Sequence, residues 1–116
     1  MYQIKSVAQT ALAKKLGGVP VFHDGTLQSI QIHPEAIYLG IEILSDKNPR
    51  LKKNTLVHLK LNQPHRFSFA TKEIEKGLFT IHDLDIRKEA ALLQMRLESI
   101  DGTTSYVVFE SIELSE

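Results

Sequence analysis

The chain has 116 residues, 42% of them apolar, with 14 Lys and Arg against 14 Asp and Glu and no cysteine. The length predicts one domain spanning 1–116, and the apolar fraction excludes a disordered or collagen-like chain. Zero net charge removes the broad basic field on which non-specific nucleic-acid binding rests, and the missing cysteine removes disulfides, thiolate nucleophiles and cysteine zinc sites.

Ile4, Val7, Ala8, Ala11, Leu12 and Leu16 fall on one face of a helix. Gly17 and Gly18 end it by accepting the left-handed conformation, and Pro20 keeps it from resuming. The hydrophobic period then drops to two. Ile30 and Ile32 alternate with Gln31 and His33; Ile37, Leu39, Ile41 and Ile43 with Tyr38, Gly40 and Glu42; Thr55, Val57, Leu59 and Leu61 with His58 and Lys60. Such alternation predicts strands with one buried and one solvated face, the antiparallel habit. Phe67 and Phe69 mark a short further strand. From Leu78 to Ile86 two phases coexist, with Phe79 and Ile81 in one and Leu84 and Ile86 in the other, which a bulge reconciles. Leu93, Met95 and Leu97 form a strand, Asp101-Gly102 a turn, and Tyr106 to Leu114 the last strand, with a phase shift near Glu110. His33-Pro34-Glu35 fits a tight hairpin, whereas Ser45 to Asn54, long, polar and carrying Pro49, reads as a flexible loop. The expected class is α+β: an N-terminal helix, then about six or seven mostly antiparallel strands forming a curled sheet, sandwich or half-open barrel.

No apolar run approaches the roughly 18 residues that cross a bilayer, so no membrane association is expected. Met1 to Leu16 lacks the continuous apolar segment of a secretory signal, and the expected location is cytoplasmic.

The chemistry-bearing residues are sparse. His23, His33, His58, His65 and His82 show no close ligand spacing, so no metal and no cofactor is expected. No nucleophile elbow, Walker loop or dinucleotide cradle occurs, and the expected protein is not an enzyme. The rival hydrolase reading needs His23, Asp24, His82 and Asp83 to converge in a pocket. Asp83 and Asp85 share a strand face and read as a solvated edge. Phe22 is expected to plug the core, with His23 and Asp24 satisfying backbone groups of their loop. Charge is unevenly spread. Lys47, Arg50, Lys52 and Lys53 cluster in the long loop, while Glu98, Asp101, Glu110, Glu113 and Glu116 follow with no Lys or Arg after Arg96.

The run Leu16-Gly17-Gly18-Val19-Pro20-Val21-Phe22-His23-Asp24-Gly25-Thr26-Leu27-Gln28-Ser29-Ile30 resembles the opening of the immunity protein 50 family of bacterial polymorphic toxin systems. The strand order that follows runs parallel to that family's. The likeness includes a closing hairpin built from Leu97-Glu98-Ser99-Ile100-Asp101-Gly102 and Phe109-Glu110-Ser111-Ile112-Glu113-Leu114. Gly25 stands where the family commonly has alanine, and Glu73-Ile74-Glu75-Lys76-Gly77 replaces an asparagine-rich stretch. The resemblance implies a non-enzymatic binder that neutralises a toxin domain by direct contact. Small cyclic-dinucleotide-binding barrels share the strand rhythm but need an Arg-x-x-x-Arg segment and a serine motif that this chain lacks.

The expected partner is therefore a protein. Its binding residues are expected among His23, Asp24, Tyr38, Tyr106, Glu110 and Glu113, with the two tyrosines as anchors and the acidic stretch steering a basic partner. The alternative is a small-ligand or nucleic-acid-binding β-domain that uses Lys47, Arg50, Lys52 and Lys53. The oligomeric state is not legible.

Overall fold

Among the described residues the alternating segments become eight strands. The computed structural model describes residues 11–16, 20–70, 74, 76 and 79–115. Helix α1 is Ala11–Leu16, and the strands are β1 Thr26–Ile32, β2 Ala36–Ile43, β3 Thr55–Asn62, β4 Arg66–Ser68, β5 Ile81–Glu89, β6 Leu92–Ser99, β7 Thr104–Phe109 and β8 Ser111–Ser115. Among the described residues every strand pairing is antiparallel, in two four-stranded sheets ordered β1-β2-β3-β8 and β4-β7-β6-β5. The expected strand count was one or two short, because the phase shift at Glu110 divides the last segment into β7 and β8, one in each sheet. Where the N-terminal helix is expected, the described residues hold the six-residue α1 beside β8; the expected stretch from Ile4 to Thr10 and the Gly17-Gly18 stop fall outside the described residues.

Two seams join the sheets. On one side β3 bends into β4 and β7 into β8, and the bent strands stay paired: Glu110 N–H donates to the Asn62 carbonyl at 2.9 Å and His65 N–H to the Val108 carbonyl at 2.8 Å. On the other side the start of β1 touches the lead into β5 through one bridge, Thr26 to Thr80. Ile81 N–H donates to the Gly25 carbonyl there at 2.7 Å, and Leu27 N–H to the Phe79 carbonyl at 3.0 Å. The strands so nearly form a ring, but the second seam is too short to close a barrel.

The core lies between the sheets. Ile37, Leu39, Ile41 and Ile43 of β2, Val57, Leu59 and Leu61 of β3, and Met95 and Leu97 of β6 are fully buried. This is the one-face burial that period-two alternation dictates. Phe22 is buried in the same cluster, as expected of the residue before His23. The phase conflict ahead of Ile86 resolves as a register shift between Ile81 and Asp83, with His82 as the extra residue. A second shift, between Leu27 and Ser29, admits Gln28 into β1.

The turns follow their residues. Pro34-Glu35 closes a two-residue hairpin in which His33 and Ala36 exchange backbone hydrogen bonds. Ile100-Asp101-Gly102 turns β6 into β7, with Gly102 at φ 90° where a glycine costs least. The long loop after β2 departs from the expectation of flexibility. Asn48 is buried; its Oδ1 accepts from Val21 N–H at 2.8 Å and its Nδ2 donates to the carbonyls of Val21 at 3.0 Å and Leu44 at 2.9 Å. Asn54 Oδ1 accepts from Ser45 N–H at 3.0 Å and closes the loop at its base. Polar composition alone could not distinguish a solvated loop from one cross-linked by its own amide side chains.

Candidate functional site

Strand register gathers one end of the molecule. Thr26 faces Glu42, Ile43 faces Thr55, Thr26 bridges Thr80 and Ile81 faces Ser99. The strap 20–25, the long loop and the β6–β7 turn therefore share that end. The strap is tied down along its length. Asn48 holds both polar groups of Val21, Asp24 N–H donates to the Ile81 carbonyl at 2.8 Å, and Gly25 N–H donates to the Phe22 carbonyl at 2.9 Å. Gly25 has no room for a side chain: a Cβ would stand 2.7 Å from the Glu42 carbonyl oxygen and 2.9 Å from that of Phe22.

His23 and Asp24 meet His82 and Lys47 here. His23 Nδ1 lies 2.7 Å from the His82 carbonyl oxygen. A carbonyl only accepts, so Nδ1 carries the proton and Nε2 faces Asp24 Oδ1 at 3.5 Å. Asp24 sits at φ 66°, and its other oxygen is 3.8 Å from Lys47 Nζ. The rings of His23 and His82 stand edge to face with centroids 5.7 Å apart. His23 thus meets a backbone group of β5 rather than of its own loop, and the Asp24 carboxylate pairs with side chains instead. The cluster is open: the side chains of His23 and Asp24 are 47% and 42% exposed.

Asp83 does not complete a four-residue constellation. It lines a cleft on the outer face of the second sheet with Asp85, Arg87, Arg96 and Glu98. At ≈ 80 Å³ that cleft is small against an ordinary organic-ligand pocket. Asp83 and Glu98 oppose each other directly in the ladder, and Arg87 Nε bonds Asp85 Oδ2 at 2.5 Å. Among the described residues no group of three or more His, Asp or Glu could hold a metal ion.

The remaining named residues scatter. Tyr106, the register neighbour of Arg96, belongs to the outer face of the second sheet. Tyr38 lies on the outer face of the first sheet, in one row with Lys60 and Glu113 across β2, β3 and β8. Its ring meets the His33 ring edge to face at 5.7 Å, and Lys60 Nζ lies 6.0 Å from its centroid and 3.6 Å from Glu113 Oε2. Glu110 stands where β7 passes into β8. The acidic stretch is therefore no single face: strand alternation puts Glu98 on one sheet and Glu113 on the other.

Lys47 joins the His23 cluster, while Arg50, Lys52 and Lys53 project from the tied loop, all exposed. Sequence reasoning missed two participants: Asn48 shapes the loop, and Lys60 couples Tyr38 to Glu113. The meeting of His82 with His23 across 59 positions was named only as a condition of the hydrolase reading. The Lys60 partnership was legible from the strand phase, whereas the others needed the tertiary seam.

No family model, curated protein or solved structure matches this chain.

Proposed function

We propose that this chain is a non-enzymatic binding protein, and that its partner is a protein it neutralises by direct contact, as an immunity protein blocks its cognate toxin. The observation that carries the binding role is the row His33, Tyr38, Lys60 and Glu113. An amphipathic ring is held between an imidazole edge and an ammonium that a carboxylate holds in turn, on a regular strand face. Such an anchor is already ordered before association, and that lowers the cost of binding. The resemblance of the Phe22-His23-Asp24 segment to the immunity protein 50 family supplies the toxin as partner. Among the described residues no helix is long and apolar enough to cross a membrane.

The hydrolase alternative draws on His23, Asp24 and His82, which do meet. They meet at an open surface, and Asp83 lines a different cleft. Electrostatic steering is assigned to Glu113, which shares the Tyr38 face with Lys60.

The test pairs the purified chain with the product of the neighbouring gene. A complex is expected, with Tyr38→Ala weakening it about 30-fold or more, the hot-spot range. Failure of the pair to associate overturns the toxin reading. A complex indifferent to Tyr38→Ala and Glu113→Lys overturns the choice of face.

A further inference from the structure

We propose that the loop end of the molecule is a docking surface for single-stranded nucleic acid, with Arg50, Lys52 and Lys53 on the phosphates and the His23–His82 pair under a base. This inference is independent of the protein-binding reading, which uses the outer face of the first sheet.

Charge is the first observation. The segment 46–53 carries Lys47, Arg50, Lys52 and Lys53 against Asp46 alone. Asp24 engages Lys47 at 3.8 Å, whereas among the described residues no carboxylate engages Arg50, Lys52 or Lys53. These three cations are exposed in a chain whose net charge is zero, so the positive field is local to this loop.

Order is the second. Buried Asn48, between the cations, fixes the loop from inside, Asn54 after them ties its base, and Leu51 packs against the core. Three cations on a tied loop lose less freedom on binding than three on a mobile one.

The third observation separates a nucleic acid from an acidic peptide. Beside Lys47 the imidazoles of His23 and His82 are exposed and held edge to face at 5.7 Å. Histidine rings serve as stacking surfaces for unpaired bases, and stacking beside cations is the general recipe for sequence-tolerant single-strand binding. An acidic peptide would use those rings only as hydrogen-bond donors, whereas an unpaired base also stacks on their faces. With three phosphates neutralised, the affinity should fall with salt along a log–log slope of about −2.

The experiment is fluorescence anisotropy of a labelled oligothymidylate against the full chain between low and physiological salt, with a labelled oligoglutamate peptide as comparison. The expected result is binding at low salt with a slope near −2, weakened about tenfold or more by R50A/K52A/K53A and several-fold by His82→Ala, with oligoglutamate much weaker. Thermal melts of each variant establish that it folds. If the triple variant melts early, R50Q/K52Q/K53Q takes its place, keeping side-chain length without charge. The proposal is overturned by absence of salt-dependent binding, by affinity that survives loss of all three cations in a folded variant, or by equal binding of oligoglutamate.

Discussion

At the residue scale, the strap is governed by one absent atom and one amide. Gly25 faces two carbonyl oxygens at distances no Cβ tolerates. Gly25→Ala should therefore destabilise the fold by about 1–3 kcal/mol, the cost of overpacking against backbone that cannot yield, measured by urea melting. Asn48 satisfies the N–H and carbonyl of Val21 and the carbonyl of Leu44. Asn48→Ala strands these groups and should cost about 1–3 kcal/mol, with earlier proteolysis inside 44–54. An unchanged melt would mean that water replaces the amide without penalty. Ala90 takes a conformation it does not favour, φ 56° in the two-residue turn from β5 to β6. Ala90→Gly should leave stability equal or higher by about 0.5 kcal/mol, since relief of the left-handed strain slightly outweighs the added freedom of the unfolded chain.

At the scale of the element, the β6–β7 turn is an acid-sensitive hairpin. Ser99 Oγ donates to Asp101 Oδ1, and Thr103 N–H donates to the same oxygen at 2.9 Å. Those donors hold the Asp101 carboxyl down at about 2, against an ordinary 3.8. A folded-state value below the unfolded one means that this group's contribution is fully present above pH 3.8 and is lost as pH falls through about 2. Titration of the Asp101 side chain by NMR should return that depressed midpoint, and Ser99→Ala should move it upward. In the neighbouring strands, Asp83 faces Glu98 directly, so Glu98→Lys should raise stability by up to about 1 kcal/mol as a like-charge cross-strand pair becomes an opposite one. The elements themselves were largely legible. Alternation at Ile37 to Ile43 and Thr55 to Leu61 marked β2 and β3, and the phase conflict ahead of Ile86 marked the bulge at His82. What stayed hidden is what alternation cannot encode. A phase shift, as at Glu110, marks a break in a strand but not that the chain crosses there from one sheet to the other, and polar composition does not reveal an amide that cross-links its loop from within, as Asn48 does.

Across the whole molecule, the two seams decide what can act together. The end seam unites residues from the strap, the long loop and β5, so His23, Asp24, His82 and Lys47 become one surface although no sequence motif joins them. The other seam sends β7 and β8 into different sheets and splits the acidic stretch, which had looked like one feature along the chain. Candidate residues read from sequence are thus divided among three surfaces, and the Tyr38 row is the one that presents an ordered aromatic beside a fixed ion pair. Its place on a rigid ladder makes binding there separable from folding, because an exposed strand face contributes little to the core. The most direct test is to titrate the isotope-labelled chain with the neighbouring gene product and map the perturbed backbone amides. The expected outcome is a complex with shifts centred on Tyr38, Lys60 and Glu113 and their strand neighbours. No complex, or shifts confined to the loop end while the Tyr38 row stays unmoved, would contradict it.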